Sequence, residues 1–291
     1  MPQLLLGQIL VNGLTTGMTY ALVAYGLSMV FGVLELVNWA HGQFYMVGAY
    51  FLFLFVTVMG WPYAVACIAT VTAMSIFGML FQLVVIRPVI YRPWQTQLVV
   101  TLGASVLLIN LAAVLFGTFP LEASSPLNGM PLVFAGVSVS WQNVFGLAVA
   151  AVAFAVLHYV VRYTRFGKAM RAVSQNRDAS VACGISIQRM GFLTFGLGAA
   201  LAGVAAAVAA PLGNISPDTG SLLIFKAFAV VIMAGFGSVS GVIPAALLLG
   251  LAESFTAQFI SSDYVDAVAF AVMLVVLVVR PQGLFGRQSA M

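Results

Sequence analysis

RYTRFGKAMRAVSQNRDASVACGISIQR, residues 162 to 189, is the one long polar stretch in an otherwise oily chain, and its charge decides how the remainder is threaded. Arg162, Arg165, Lys168, Arg171, Arg177 and Arg189 stand there against a single acid, Asp178, so six of the eleven Lys and Arg residues share one loop. Positive charge is retained on the cytoplasmic side of a membrane, which puts the loop inside. Within it, FGKAMRAV (Phe166 to Val173) and DASVACGI (Asp178 to Ile185) read as short amphipathic helices. A plain connector needs no such pattern, so the loop reads as a docking surface for a cytoplasmic partner.

Composition agrees with a membrane setting. The chain is 63% hydrophobic and 6% charged, against about 25% charged in soluble domains. It is therefore expected to be all-α and polytopic. The 28 glycines suit helices packed closely in lipid, where small residues let backbones approach. A net charge of +4 is explained by basic residues at membrane edges and calls for no nucleic-acid partner. Cys67 lies in an apolar run and Cys183 in the basic loop, a poor pair for a disulfide or a metal. Met1-Pro2-Gln3 lacks a basic n-region and the apolar run after it is too long for a cleaved signal, so the first helix is expected to be retained.

Working outward from the loop, apolar runs fall at about 4–34, 36–60, 63–86, 98–117, 141–161, 190–210, 223–242, 243–260 and 264–279. Against the roughly 20 residues that span hydrocarbon, this gives eight or nine crossings. Arg87 and Arg92, the basic loop, and Arg280 with Arg287 all fall on one side if crossings alternate, with the N-terminus outside and the C-terminus cytoplasmic. Segments 118–140 and 211–222, with Glu122 and Asp218, and the acids Asp263 and Asp266 then face the other side. Gly7, Gly13 and Gly17 interrupt the first run and GFGSVSG (Gly235 to Gly241) the seventh, an expectation of broken or re-entrant segments.

Four polar features stand in or beside these runs. His41, in Asn38-Trp39-Ala40-His41-Gly42, is either a pathway group or an interfacial histidine bonded to a backbone carbonyl. Glu253 is costly in lipid and should face protein, water or a partner. Lys226 is expected to snorkel to the outer interface. Asn12 and Asn110 are mid-run amides expected to cross-link helices. No phosphate loop follows Gly167-Lys168, and there is no HExxH, GxSxG or Cys/His cluster. The chain is thus expected to be no enzyme and to bind no cofactor of its own.

At GLTTGMTYALVAYGLSMVFGVLELVNWAHGQFYMVGAY (Gly13 to Tyr50) the chain resembles the branched-chain amino acid ABC-transporter permeases, whose glycine-rich helix leads into an N-x-A-H-G segment. The likeness continues through RAVSQNRDASVACGIS (171–186), TFGLGAALAGVAAAV (194–208), FAVVIMAGFGSVSGVIPAALLLGLAE (228–253) and RPQGLFG (280–286). It thus covers nearly the whole chain, in order.

The resemblance implies a single transmembrane permease domain over 1–291, in a bacterial inner membrane. Its coupling loop would lie at about 162–189, where Asp178 to Gly184 is similar to the EAA-xxx-G loop of ABC importers, with Asp for Glu and Ser for the second Ala. Arg171, Asp178, Ala179, Ser180 and Gly184 are the coupling candidates. Asn38, His41, Gly42 and Glu253 are the pathway candidates. The implied partners are a second, related permease, two ATPase subunits that carry ATP-Mg, a periplasmic solute-binding protein and membrane lipid. The implied solute is a branched-chain amino acid or a related small polar molecule. The rival that the residues leave open is a secondary transporter or passive channel for a neutral solute such as urea or an amide.

Overall fold

The structure is a computed structural model, and it describes residues 2–129, 131–134, 137–235 and 237–285. Arg287, Gly286 of the RPQGLFG ending and Phe236 of the GFGSVSG break lie outside the described residues. In hydrocarbon every backbone N–H and C=O must be paired within the segment, and apolar runs of this length satisfy that as helices. They are α1 (Pro2–Leu34), α2 (His41–Phe53, continued by a π-turn Leu54–Val58), α3 (Tyr63–Phe81, continued by Gln82–Ile86), α4 (Trp94–Phe116), α5 (Trp141–Tyr163), α6 (Arg165–Gln175), α7 (Arg177–Ala182), α8 (Ile187–Ala209), α9 (Thr219–Ala234), α10 (Val242–Phe259) and α11 (Val265–Val279). Among the described residues eight helices are long and apolar enough to cross a membrane, and α9, at 16 residues, is shorter. The protein is a multi-pass membrane protein with an all-α membrane region. One small antiparallel pair, β1 (Pro131–Phe134) with β2 (Val137–Ser140), lies in the connection before α5.

Two faces follow from the alternation. One carries α6 and α7, with the 87–92 turn beside them, since the Arg177 guanidinium stands 6.0 Å from the Tyr91 ring. The opposite, distal face gathers the 118–140 and 211–218 connections. Leu121 and Ile215 exchange backbone hydrogen bonds, and the Asn128 amide donates to the Pro211 carbonyl at 2.6 Å.

Helix α1 forms the axis of the bundle. The C-terminal half of α1 and most of α8 are buried, while α4, α5 and α11 are largely exposed, so the last three present their surfaces outward. The sequence expected α1 to break at its glycines, and it does not. Gly13 and Gly17 are contact points: a Cβ on Gly250 of α10 would lie 2.5 Å from the Gly17 nitrogen and the Gly13 carbonyl oxygen, so the two backbones touch. The break expected at 235–241 is present, with α9 ending at Ala234 and α10 starting at Val242. Glu35 ends α1 with φ +53°, the left-handed geometry of a helix stop.

The chain then runs without helix or strand through 35–38, turns at 39–40 and is back inside the bundle where α2 begins. His41, the first residue of α2, meets Val23, eleven residues back from Leu34 along α1, roughly 16 Å at 1.5 Å per residue. So α2 starts deep in the protein, against the start of α9, where Gly42 packs on the Gly220 carbonyl and Ile224.

Candidate functional site

Each sequence candidate falls into one of three places. The first is the start of α2. Asn38 and His41 are fully buried. The Asn38 Oδ1 accepts the Ala40 N–H at 3.1 Å, and the His41 Nε2 donates to the Val23 carbonyl at 3.2 Å. Gly42 provides the close contact with α9, and Gln43 Nε2 donates at 3.2 Å to both Ser105 and Ser221. The histidine does meet a backbone carbonyl, but deep inside and not at an interface. Trp39 adds rings from α9, Phe225 at 5.5 Å and Phe228 at 5.1 Å. His41 and Gly42 therefore hold the start of α2 against α1 and α9, and Asn38 closes the turn that precedes it.

The second place joins residues that the sequence had left apart. Lys226 of α9 does not snorkel away. Its Nζ lies 3.0 Å from Glu253 of α10 and 2.9 Å from Asp266 of α11, and it donates to the Tyr20 hydroxyl of α1 at 3.1 Å. Tyr20 in turn donates to Glu253 at 2.7 Å. Four helices meet at this one cluster. The Lys226 and Glu253 side chains are 13% and 5% exposed, whereas Asp266 is 51% exposed, so the buried pair is the strong contact. A lysine and a glutamate placed singly in apolar runs are the signal that could have found it, since such charges inside a membrane pair with one another. Asn12 and Asn110 do not cross-link helices: Asn12 accepts from Gln8 and Asn110 donates to the Val106 carbonyl, each four residues back along its own helix. An amide on an outward surface meets its own helix sooner than a neighbouring one.

The third place is the basic loop. The two helices read at 166–173 and 178–185 are α6 and α7, separated by Asn176 alone. Thr164 caps α6 through the Gly167 N–H at 3.1 Å, and Asn176 caps α7 through the Ala179 N–H at 2.9 Å. Arg171 is not turned to solvent. Its guanidinium donates to the Val161 carbonyl in the last turn of α5, where a cation also suits the negative helix end. Gly167 packs directly on the Val160 and Val161 carbonyls, so α6 is pinned to the end of α5.

Helix α7 stands outward from this base. Asp178, Ala179, Val181, Ala182, Cys183 and Gly184 are exposed, while Ser180 is buried and donates to the Asn176 carbonyl at 2.8 Å. Its end is a Schellman motif: the Gly184 N–H meets the Val181 carbonyl at 2.9 Å and the Ile185 N–H meets the Ser180 carbonyl at 3.0 Å. Gly184 sits at φ +82°, which a residue with a Cβ rarely adopts. The result is a short, well-capped helix with an open side, fixed through α6 to α5 and continuing directly into α8. Among the described residues no group of three or more His, Cys, Asp or Glu is arranged to hold a metal.

Similarity to known proteins bears on these features together. A family described as the permease component of the branched-chain amino acid transport system matches residues 9–277. The chain is 33% identical over 290 residues to the high-affinity branched-chain amino acid transport system permease protein LivH of Escherichia coli K12, covering 95% of this chain and 94% of that one. It is 35% identical over 295 residues to BraD of Pseudomonas aeruginosa, a protein of the same description, covering 96% and 95%. To LivM, a permease protein of the E. coli high-affinity branched-chain amino acid transport system, it is 27% identical over 93% of this chain and 68% of that one. With the match running from the first turns of α1 to the end of α11, the chain belongs to the family of permease components of branched-chain amino acid transport systems.

Proposed function

We propose that this permease is one of two in an ATP-driven importer of the inner membrane, carrying a branched-chain amino acid or a closely related small solute from periplasm to cytoplasm. The second permease is a related but different chain, as LivH and LivM are similar to this one at different levels. Two ATPase subunits hydrolyse ATP-Mg, and a periplasmic binding protein delivers the solute to the distal face. The C-terminus lies on the cytoplasmic side with the basic loop.

The observation that carries this reading is the construction of α7. An exposed helix, capped at both ends and tied through α6 to α5, can receive a push and pass it on as a tilt of whole helices. Asp178, Ala179 and Gly184 lie on its open side, Ser180 holds its base, and Arg171 fastens the lever. Closure of the ATPases on α7 then shifts α5 and α8 and reopens the bundle toward the cytoplasm. A helix held only by anionic lipid would lie flat with its apolar side buried.

The test is purification of the tagged chain from its native membrane in mild detergent, with identification of co-purifying proteins. Recovery of a second permease and two ATPase subunits, with their ATPase activity lost on Asp178→Arg, supports the reading. Recovery of the chain alone, with solute flux indifferent to ATP, counts against it.

A further inference from the structure

A cavity of about 240 Å³ opens between the middle of α1 and the distal ends of α5 and α8. Its walls combine apolar side chains such as Met18, Leu22 and Leu147 with Thr16 of α1 and Asn143 of α5. No charged side chain is among the described residues that line it. The polar residues divide sharply by how they are already used. Gln142 is fully engaged: its Nε2 donates to the Tyr63 hydroxyl at 2.7 Å and the Val208 carbonyl at 2.8 Å, and its Oε1 accepts from Ser125 at 2.8 Å. Asn143, one residue on, has a buried side-chain oxygen with no partner within the chain. That oxygen is closed to solvent as it stands, and an unsatisfied acceptor is costly, so a turn of the amide toward a ligand in the cavity would satisfy it.

Resting on the importer reading, the geometry points to this cavity as the station that holds the solute within this subunit, with Asn143 as its recognition group. The ligand class follows from size and lining. A cavity of about 150 Å³ holds benzene, so about 240 Å³ admits one small molecule with a short aliphatic part. Walls without fixed charge favour a solute of zero net charge, a zwitterionic amino acid included. They also hold it weakly, as conduction requires that a site release what it binds. Placement links the site to the lever. The loop that carries α6 and α7 joins α5 directly to α8, so two of the three cavity walls are the helices that a push on α7 moves. On the α1 wall, Tyr20 lines the cavity and also bonds Lys226 and Glu253, so the same movement is felt at the ionic cluster.

Gly146 allows the test. A Cβ there would meet Val208 at 3.5 Å, ordinary contact, so a side chain is accepted and a large one projects into the space. The complete complex, reconstituted in liposomes with its binding protein, is assayed for ATP-driven uptake of radiolabelled leucine and alanine. Size-exclusion recovery of the complex is followed in parallel. Gly146→Leu and Asn143→Leu are expected to assemble, with leucine uptake at least tenfold lower. Gly146→Leu should retain proportionally more alanine than leucine uptake, a size effect that a merely structural lesion does not produce. Leucine uptake within twofold of wild type in both variants overturns the inference. So does loss of assembly in Gly146→Leu with normal transport by Asn143→Leu, which would make the cavity a seat for the partner permease. Failure of the wild-type complex to take up leucine with ATP overturns the importer reading, and the inference with it.

Discussion

Replacing Lys226 by Met should be among the most damaging single changes in the membrane region. The pair with Glu253 at 3.0 Å is nearly enclosed, with side chains 13% and 5% exposed. At an effective dielectric of about 20, unit charges at that distance attract by about 5–6 kcal/mol. The contact to Asp266 adds little, because that carboxylate is 51% exposed and exposed pairs contribute about 0–1 kcal/mol. Desolvation offsets much of the attraction while both charges are present, but Lys226→Met leaves Glu253 buried and unpaired, a lesion of about 3–5 kcal/mol. Glu253→Gln is milder, about 1–2 kcal/mol, since Lys226 keeps Asp266 and the amide still accepts from Tyr20. The double variant removes the stranded charge and should sit near Glu253→Gln, well short of the sum. Thermal unfolding of the purified protein in detergent gives the order, with Lys226→Met lower in Tm by roughly 5–15 °C. A Lys226→Met protein within 0.5 kcal/mol of wild type, or a double variant equal to the sum of the singles, would refute the reasoning.

Other outcomes follow from particular contacts. Gly250→Val forces branched carbons into the α1 backbone at Gly13 and Gly17 and should cost about 1–3 kcal/mol or more, read as lost yield of folded protein. Gly184→Ala puts a Cβ at φ +82° and should weaken α7 by about 1–2 kcal/mol, with Gly184→Asn recovering much of it; amide hydrogen exchange over 177–185 reads both. Thr164→Ala removes the cap of α6 and Arg171→Met releases the last turn of α5. Each should speed amide exchange across 165–175, by about 1 kcal/mol for the cap, without disturbing the distal face.

Much of this architecture was legible from local chemistry. The basic loop and its two short helices come directly from charge and periodicity at 162–189, and the crossings from run length. What escaped depends on contacts between residues far apart in sequence. Tyr20 and Lys226 are 206 positions apart and Tyr20 and Glu253 are 233 apart, so nothing local ties them. Glycine was ambiguous for the same reason. Gly13 and Gly17 resemble helix breakers until the α10 backbone is seen against them, whereas the glycines of 235–241 do end a helix. For His41 the sequence left open a pathway group and an interfacial histidine bonded to a carbonyl, and its depth depends on how the 35–40 connection returns to the bundle, which leaves no hydropathy signal. Asn143 shows nothing in sequence to distinguish it from Gln142; both line the cavity, and only the hydrogen bonds of Gln142 set the engaged amide apart from one whose oxygen has no partner.

On the function proposed above, α7 carries the energy of ATP hydrolysis into the bundle. Asp178 lies exposed in its first turn, where an acid suits the positive helix end, and reversing its charge costs the helix only about 0.3–1 kcal/mol. The most direct measurement is ATP-driven leucine uptake by the reconstituted complex with Asp178→Arg in place of the wild-type chain. The expected result is a complex that folds and inserts but takes up leucine at least tenfold more slowly. Uptake at the wild-type rate with the charge reversed would contradict it.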